Sequence, residues 1–169
     1  PLHDRLQKSL DKMGLDTPTE VQQQGIPVAL EGRDMLISAE TGSGKTAAYL
    51  LPMLHRFLEQ NAPQSATRGL VLLPTRELAR QVFKQFTLLS EFTRLKAGLI
   101  TGGEDFKYQR ALIRKNPELI IATPGRLLEH ISHNNIDLSD LEVLVLDEAD
   151  RMLDMGFSED VMSIADACR

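Results

Sequence analysis

Five short runs of β-favouring apolar residues punctuate the chain, at 35–38, 69–73, 97–101, 119–122 and 143–146. Each is followed by a helix-compatible segment, so strand and helix alternate. The runs are continuous rather than alternating, Leu70-Val71-Leu72-Leu73 being the clearest. Such strands are buried on both faces, which predicts a central, mostly parallel sheet between helices, a three-layer α/β domain. Between Arg76 and about Phe92 the stripe Leu78, Val82, Phe86, Leu89 predicts a helix whose apolar face is core. Nearer the start, Leu2, Leu6, Leu10 and Met13 recur at helical spacing before Gly14, and Thr17 and Glu20 form a capping box around Pro18. The polar stretch 60–68 reads as a surface loop.

Composition places this pattern in an ordinary globular domain: 169 residues, 42% apolar and 25% charged, enough chain for one substantial core. With 19 basic and 24 acidic residues the net charge is −5, so any polyanion has to be held locally. The longest apolar runs, such as 47–51, fall far short of the roughly 20 residues of a membrane span. Residues 1–8 lack the features of a secretory leader, and the single cysteine, Cys168, makes no internal disulfide and has no recognisable catalytic partner. A cytoplasmic protein is the expectation.

Two segments carry chemistry. After the first strand comes Ala39-Glu40-Thr41-Gly42-Ser43-Gly44-Lys45-Thr46. Small residues let successive backbone N–H groups curl around phosphate oxygens, a lysine reaches the outer phosphates, and a hydroxyl ligates magnesium. Gly42, Gly44, Lys45 and Thr46 supply these parts, with Ala39 where the generic pattern has its first glycine. The last strand runs into Asp147-Glu148-Ala149-Asp150. There Asp147 can hold the magnesium and Glu148 can polarise an attacking water as general base. The bland alternative is an acidic helix start that complements the dipole and does nothing more.

These two segments, together with Gly14/Pro18-Thr19/Gln22, Pro74-Thr75-Arg76-Glu77-Leu78, Gly102-Gly103 and Thr123-Pro124-Gly125-Arg126, resemble the DEAD-box RNA helicases, specifically their first RecA-like domain. Six motifs stand in the family's order across residues 14–150. The resemblance implies a RecA-like fold that uses ATP and Mg2+. It assigns Gln22 to adenine and residues 41–46, including Thr41 and Ser43, to the phosphates. Lys45, Asp147 and Glu148 become the catalytic group, and Thr46 and Asp147 the metal ligands. Leu15 stands where the family usually has phenylalanine.

The remaining motifs follow strands two, three and four, where an open sheet presents its ligands. Pro74, Thr75, Arg76, Gly102, Gly103, Thr123, Pro124, Gly125 and Arg126 would form an RNA track. Thr75 and Thr123 are each placed to cap a helix, and the glycines to let the RNA backbone approach. Arg76 and Arg126 contribute charge either to RNA or to holding the loops together. Contacts confined to sugar and phosphate read no base sequence.

The resemblance further implies that residues 1–169 are the ATP-binding half, ending before a Ser-Ala-Thr motif and a second RecA-like domain to which Asp150 would couple. Such a half hydrolyses ATP poorly by itself. Two other readings remain at this point: a P-loop translocase acting on DNA, and a nucleotide-dependent docking module with negligible turnover. His130 and His133, three apart on a helix, are expected to be solvated rather than zinc ligands. Met152, Met155 and Phe157 are expected to pack the following helix.

Overall fold

A computed structural model of the chain describes residues 35–39, 45–60 and 67–168. The helices expected at 2–13 and from Pro18 onward lie outside the described residues. Within them strand and helix alternate as the pattern predicts: β1 (Met35–Ala39), α1 (Lys45–Glu59), β2 (Gly69–Leu72), α2 (Arg76–Leu89), β3 (Ala97–Ile100), α3 (Phe106–Arg114), β4 (Leu119–Ala122), α4 (Pro124–Ser132), β5 (Val143–Asp147), α5 (Ala149–Asp154) and α6 (Ser158–Ala167). The strands form one all-parallel sheet in the order β1-β5-β2-β4-β3.

Handedness and this order decide where the helices go. The connections from β1 to β2 and from β2 to β3 step one way across the sheet, and those from β3 to β4 and β4 to β5 step back. Right-handed crossovers therefore place α1 and α2 on one face and α3 and α4 on the other. Two separate cores result. On the first face Leu50, Leu54 and Phe57 of α1 and Val82 and Phe86 of α2 pack on Val71, Ile121 and Val145. On the second, Ile113, Leu127 and Ile164 pack on Leu70, Leu72, Ile120 and Ala122. Neighbours in sequence alternate between the cores, so every residue of β2 and β4 is buried. Edge strand β3 is buried only at alternate positions.

The stretch read as a polar surface loop ends differently. Thr67 and Arg68 are buried, because the Arg68 side chain is held from several sides. Its guanidinium binds the Glu142 carboxylate and donates to the Gln60 carbonyl at 2.9 Å, while Arg56 donates to the same carboxylate at 2.6 Å. Burial opposes ionisation of Glu142, but the two guanidinium groups hold its carboxyl below the usual range. A buried arginine paired and hydrogen-bonded in this way is a tolerable core residue. No helix among the described residues is long and apolar enough to cross a membrane.

Candidate functional site

Parallel strands bring their C-terminal ends, and hence the sequence motifs, to one edge. Ala39, the last residue of β1, lies in register with Asp147, the last of β5. Helix α1 opens at that edge with Lys45 and Thr46, both half-buried. Residues three apart share a helix face, so Tyr49 sits one turn below Thr46. The Tyr49 hydroxyl donates to Asp147 Oδ2 at 2.6 Å and also shares a hydrogen bond with the Thr46 side chain. Burial, reinforced by the Asp147 charge, pushes the Tyr49 phenol well above its ordinary pKa, so it stays a proton donor at neutral pH.

Asp147 is only 6% exposed. Burial raises its pKa; the Tyr49 bond and the Lys45 ammonium pull it down, while the Glu148 charge pushes it further up. The balance is upward, set first by burial. Thr46 and Asp147 offer a hydroxyl and a carboxylate, the hard-oxygen donors that Mg2+ takes when water and phosphate complete its shell. The residues present therefore fit that ion.

Glu148 follows with φ 60° and ψ 45°, left-handed for a residue with a Cβ, and caps α5 with its backbone alone. That conformation costs roughly 1–3 kcal/mol and persists only where the surroundings enforce it. It turns the chain sharply at the strand end, with the side chain held among buried groups. Asp150 lies in the first turn of α5 and is exposed. Gln22 and residues Thr41, Gly42, Ser43 and Gly44 lie outside the described residues.

The other three strand ends carry the second set of motifs. Pro74 is buried and Thr75 caps α2, its Oγ1 accepting from the Leu78 N–H at 3.2 Å. Thr123 does not repeat this: it occupies the cap position of α4 with extended backbone, yet its side chain makes no capping bond. Pro124 already removes one N–H from that turn, so Thr123 leaves the next ones without a side-chain acceptor.

Of the two glycines, Gly102 has open space where a Cβ would stand, whereas at Gly103 that space is filled by the Arg76 guanidinium. Gly103 also has φ 83°, so glycine is required there twice over. Arg76 thus packs against the β3 turn as a strap, and Gly102 and Gly125 keep the open approach. Arg126 is likewise engaged: it donates to the Glu104 carbonyl at 2.8 Å and to Gln109 Oε1 at 3.1 Å, and lies 3.3 Å from Glu129. Both arginines thus contact the loops of this edge.

Nothing in the sequence pattern singles out Gln109. It is 1% exposed, donates to the Thr101 carbonyl at 2.8 Å, and accepts from Arg126. His130 Nε2 lies 2.9 Å from the same amide oxygen. With the Gln109 amide nitrogen committed to Thr101, His130 must be the donor there, leaving Nδ1 to accept from Asn135 at 3.0 Å.

The expectation of a solvated His130 is therefore wrong. It is fully buried, stacked on Phe106 at 4.1 Å, and both ring nitrogens are engaged, which also removes it as a metal ligand. Burial, with the Arg126 charge, lowers its pKa to about 4. His133 is exposed as expected. Met152 is buried and Phe157 half-buried, but Met155 is exposed, since it follows the last turn of α5 rather than packing inward. Cys168 donates to the Ile164 carbonyl and burial pushes its thiol up to about 11, which keeps it inert.

Known proteins resemble this chain over most of its length. The DEAD/DEAH box helicase model matches residues 19–169. The chain is 49% identical over 164 residues to a probable ATP-dependent RNA helicase, ddx27, of Dictyostelium discoideum, covering 96% of this chain and 21% of that protein. It is 47% identical to the ATP-dependent RNA helicase SrmB of Haemophilus influenzae, covering 97% of this chain and 38% of that protein. A crystal structure of a hypothetical ATP-dependent RNA helicase from Sulfolobus tokodaii superposes with a TM-score of 0.84 at 38% identity, over 95% of this chain and 45% of that one. The chain thus spans less than half the length of each of these relatives. With the motifs, the RecA-like fold and these matches in agreement, it belongs to the DEAD/DEAH box helicase family.

Proposed function

We propose that residues 1–169 form the first RecA-like domain of an ATP-dependent RNA helicase, in a longer protein whose second RecA-like domain closes over ATP and one RNA strand. The observation that carries the reading is the end of β5. A buried Asp147 held by Tyr49 stands beside a Glu148 kept in a strained conformation. A purely structural helix start needs neither.

In this reading the backbone of Thr41, Gly42, Ser43 and Gly44 cradles the phosphates and Lys45 draws charge off the outermost one. Gln22 reads adenine, whose adjacent acceptor and amino donor match a side-chain amide. Thr46 and Asp147 hold Mg2+, which when bound neutralises charge developing on the phosphoryl oxygens. Tyr49 orients the Asp147 carboxylate through its hydrogen bond. Glu148 accepts the proton of the attacking water.

Along the rest of the edge Pro74, Thr75, Arg76, Gly102, Gly103, Thr123, Pro124, Gly125 and Arg126 shape a path for RNA. Here Arg76 and Arg126 act mainly by fixing the loops, and the open backbone at Gly102 and Gly125 meets the strand. Asp150, exposed beside the site, couples it to the second domain. A cytoplasmic setting suits the single, unreactive Cys168.

The test is RNA-stimulated ATPase of the longer protein, wild type against Glu148→Gln, with RNA and DNA in parallel. Stimulation by RNA alone and a loss of about 10²- to 10⁴-fold in the variant, with ATP binding retained, is expected. Full turnover in the variant would overturn the role of Glu148, and stimulation by DNA alone would overturn the RNA reading.

A further inference from the structure

Helix α3 leaves the site edge just after the Gly102–Gly103 turn and carries a pattern that the fold does not use. Residues 106–115 contain Lys107, Arg110, Arg114 and Lys115 and no acidic residue. Gln109 and Ile113 face the sheet and are buried. Helical periodicity then turns Lys107, Tyr108, Ala111 and Arg114 outward, with Lys115 following at the cap, and all five are exposed. Tyr108, 64% exposed, is a large ring left in water among cations.

The carboxylates at the start of the helix are already engaged. Glu104 pairs with Arg80 at 2.8 Å, and Asp105 accepts from the N–H groups of Lys107 and Tyr108 at 2.8 and 3.3 Å. Among the described residues no ion pair engages Lys107, Arg110, Arg114 or Lys115. In a chain of net charge −5 this is a local reversal of sign. By contrast residues 149–168 carry five acidic residues and one basic. A polyanion is attracted to the first surface and repelled by the second.

We propose that α3 is an outlying binding site for single-stranded RNA, with Lys107, Arg114 and Lys115 neutralising backbone phosphates and one base stacking on Tyr108. The chemistry suits an unpaired strand: every base has a face to stack on an aromatic ring, and cations beside the ring track the backbone without reading sequence. From Lys107 to Lys115 the helix spans about 12 Å at 1.5 Å per residue, running away from the edge. Tyr108 stands in the first turn of this helix, six residues after Gly102, at the end nearer the edge. The site goes beyond the sheet-edge contacts proposed above and depends on them only for the direction from which the strand arrives.

The experiment measures binding of labelled oligouridylates to the longer protein, one of about 6 nucleotides that fills only the edge and one of about 20 that reaches α3. Tyr108→Ala is expected to weaken the long strand about tenfold and leave the short one unchanged, while Tyr108→Phe binds like wild type. The triple variant Lys107→Gln/Arg114→Gln/Lys115→Gln is expected to reduce the salt slope for the long strand by about 2, at roughly 0.7 per phosphate contact. Equal effects on both strands, or none, overturn the α3 site and leave the edge reading intact. If the short strand fails to bind while the long one still depends on Tyr108, the edge reading falls and α3 stands. A Glu-rich peptide that binds in a Tyr108-dependent way while RNA does not would also overturn the proposal, in favour of an acidic protein segment.

Discussion

Glu148 and Gly103 both have positive φ, 60° and 83°, where the chain turns after two strands of one sheet. On the β3 side the chain meets this demand with the residue that tolerates it at no steric cost, and the space a Cβ would need is given to Arg76. On the β5 side it accepts the strain and keeps a carboxylate. The contrast extends to the surroundings. Around Gly103 Arg126, Gln109 and His130 are joined by hydrogen bonds within the protein, although Thr101 Oγ1 and Arg126 Nε are buried without one. At β5 burial holds the Asp147 carboxyl above its ordinary pKa, with Tyr49 as its hydrogen-bond donor. One half of the edge is built largely from contacts within the chain, and the other buries two adjacent carboxylates, one of them on a strained backbone.

Loss of turnover in Glu148→Gln is the largest effect this contrast implies, about 10²- to 10⁴-fold, because the variant keeps the strained backbone and removes only the base. If Glu148→Gln and wild type hydrolysed ATP alike, the strain at β5 would have no chemical purpose and the two halves would be equivalent.

The scaffold was the more legible part of the sequence. Continuous apolar runs such as Leu70–Leu73 can only be strands buried on both sides, and four of the five observed strands end within one residue of the predicted ends while β4 matches at both. Asp147, Glu148 and Lys45 were legible because their spacing from glycines and strand ends is local. Tyr49, Gln109 and the Arg56–Glu142–Arg68 cluster were not, since each depends on a partner between 17 and 98 residues away. For Tyr49 a signal existed: a tyrosine one turn after Thr46 shares its face, and a buried phenol needs an acceptor. His130 was misread because a histidine on a short amphipathic helix shows no sign of the Phe106 ring that covers it.

The self-contained half should answer to pH through His130. Unfolded, its imidazole titrates near 6.5; folded, near 4. Between these values the unfolded chain binds a proton that the folded one refuses, so unfolding free energy rises with pH across the window. The stabilisation is complete above pH 6.5 and is lost as pH falls toward 4, by about 3 kcal/mol in all. Urea unfolding of wild type and His130→Gln across this range checks it. The wild type should lose more stability than the variant by about that amount, and parallel curves would mean that the Gln109–His130–Asn135 chain tolerates charge.

Exchanging the residue choices at the two turns tests the comparison directly. Gly103→Ala should cost about 2 kcal/mol, from left-handed strain and from displacing Arg76. Glu148→Gly should change stability little, relief of roughly 1–2 kcal/mol of strain being partly cancelled by about 0.5–1 kcal/mol of added freedom in the unfolded chain. Thermal unfolding of the two variants would show this asymmetry, with turnover lost in the second despite its undiminished fold. Destabilisation by Glu148→Gly of more than about 2 kcal/mol would show that the glutamate is there for packing.

The smallest difference lies within the scaffold, between two threonines in equivalent positions. Thr75 satisfies the Leu78 N–H, so Thr75→Ala should cost about 1 kcal/mol. Thr123 makes no such bond, and Thr123→Ala should cost at most a few tenths of a kcal/mol. Denaturant midpoints resolve the two. Equal costs would mean that Thr123 caps α4 in solution, and the start of α4 would then be as closed as that of α2. Unequal costs would leave the turn at Pro124 and Gly125 with uncapped N–H groups, donors for an anion at this edge.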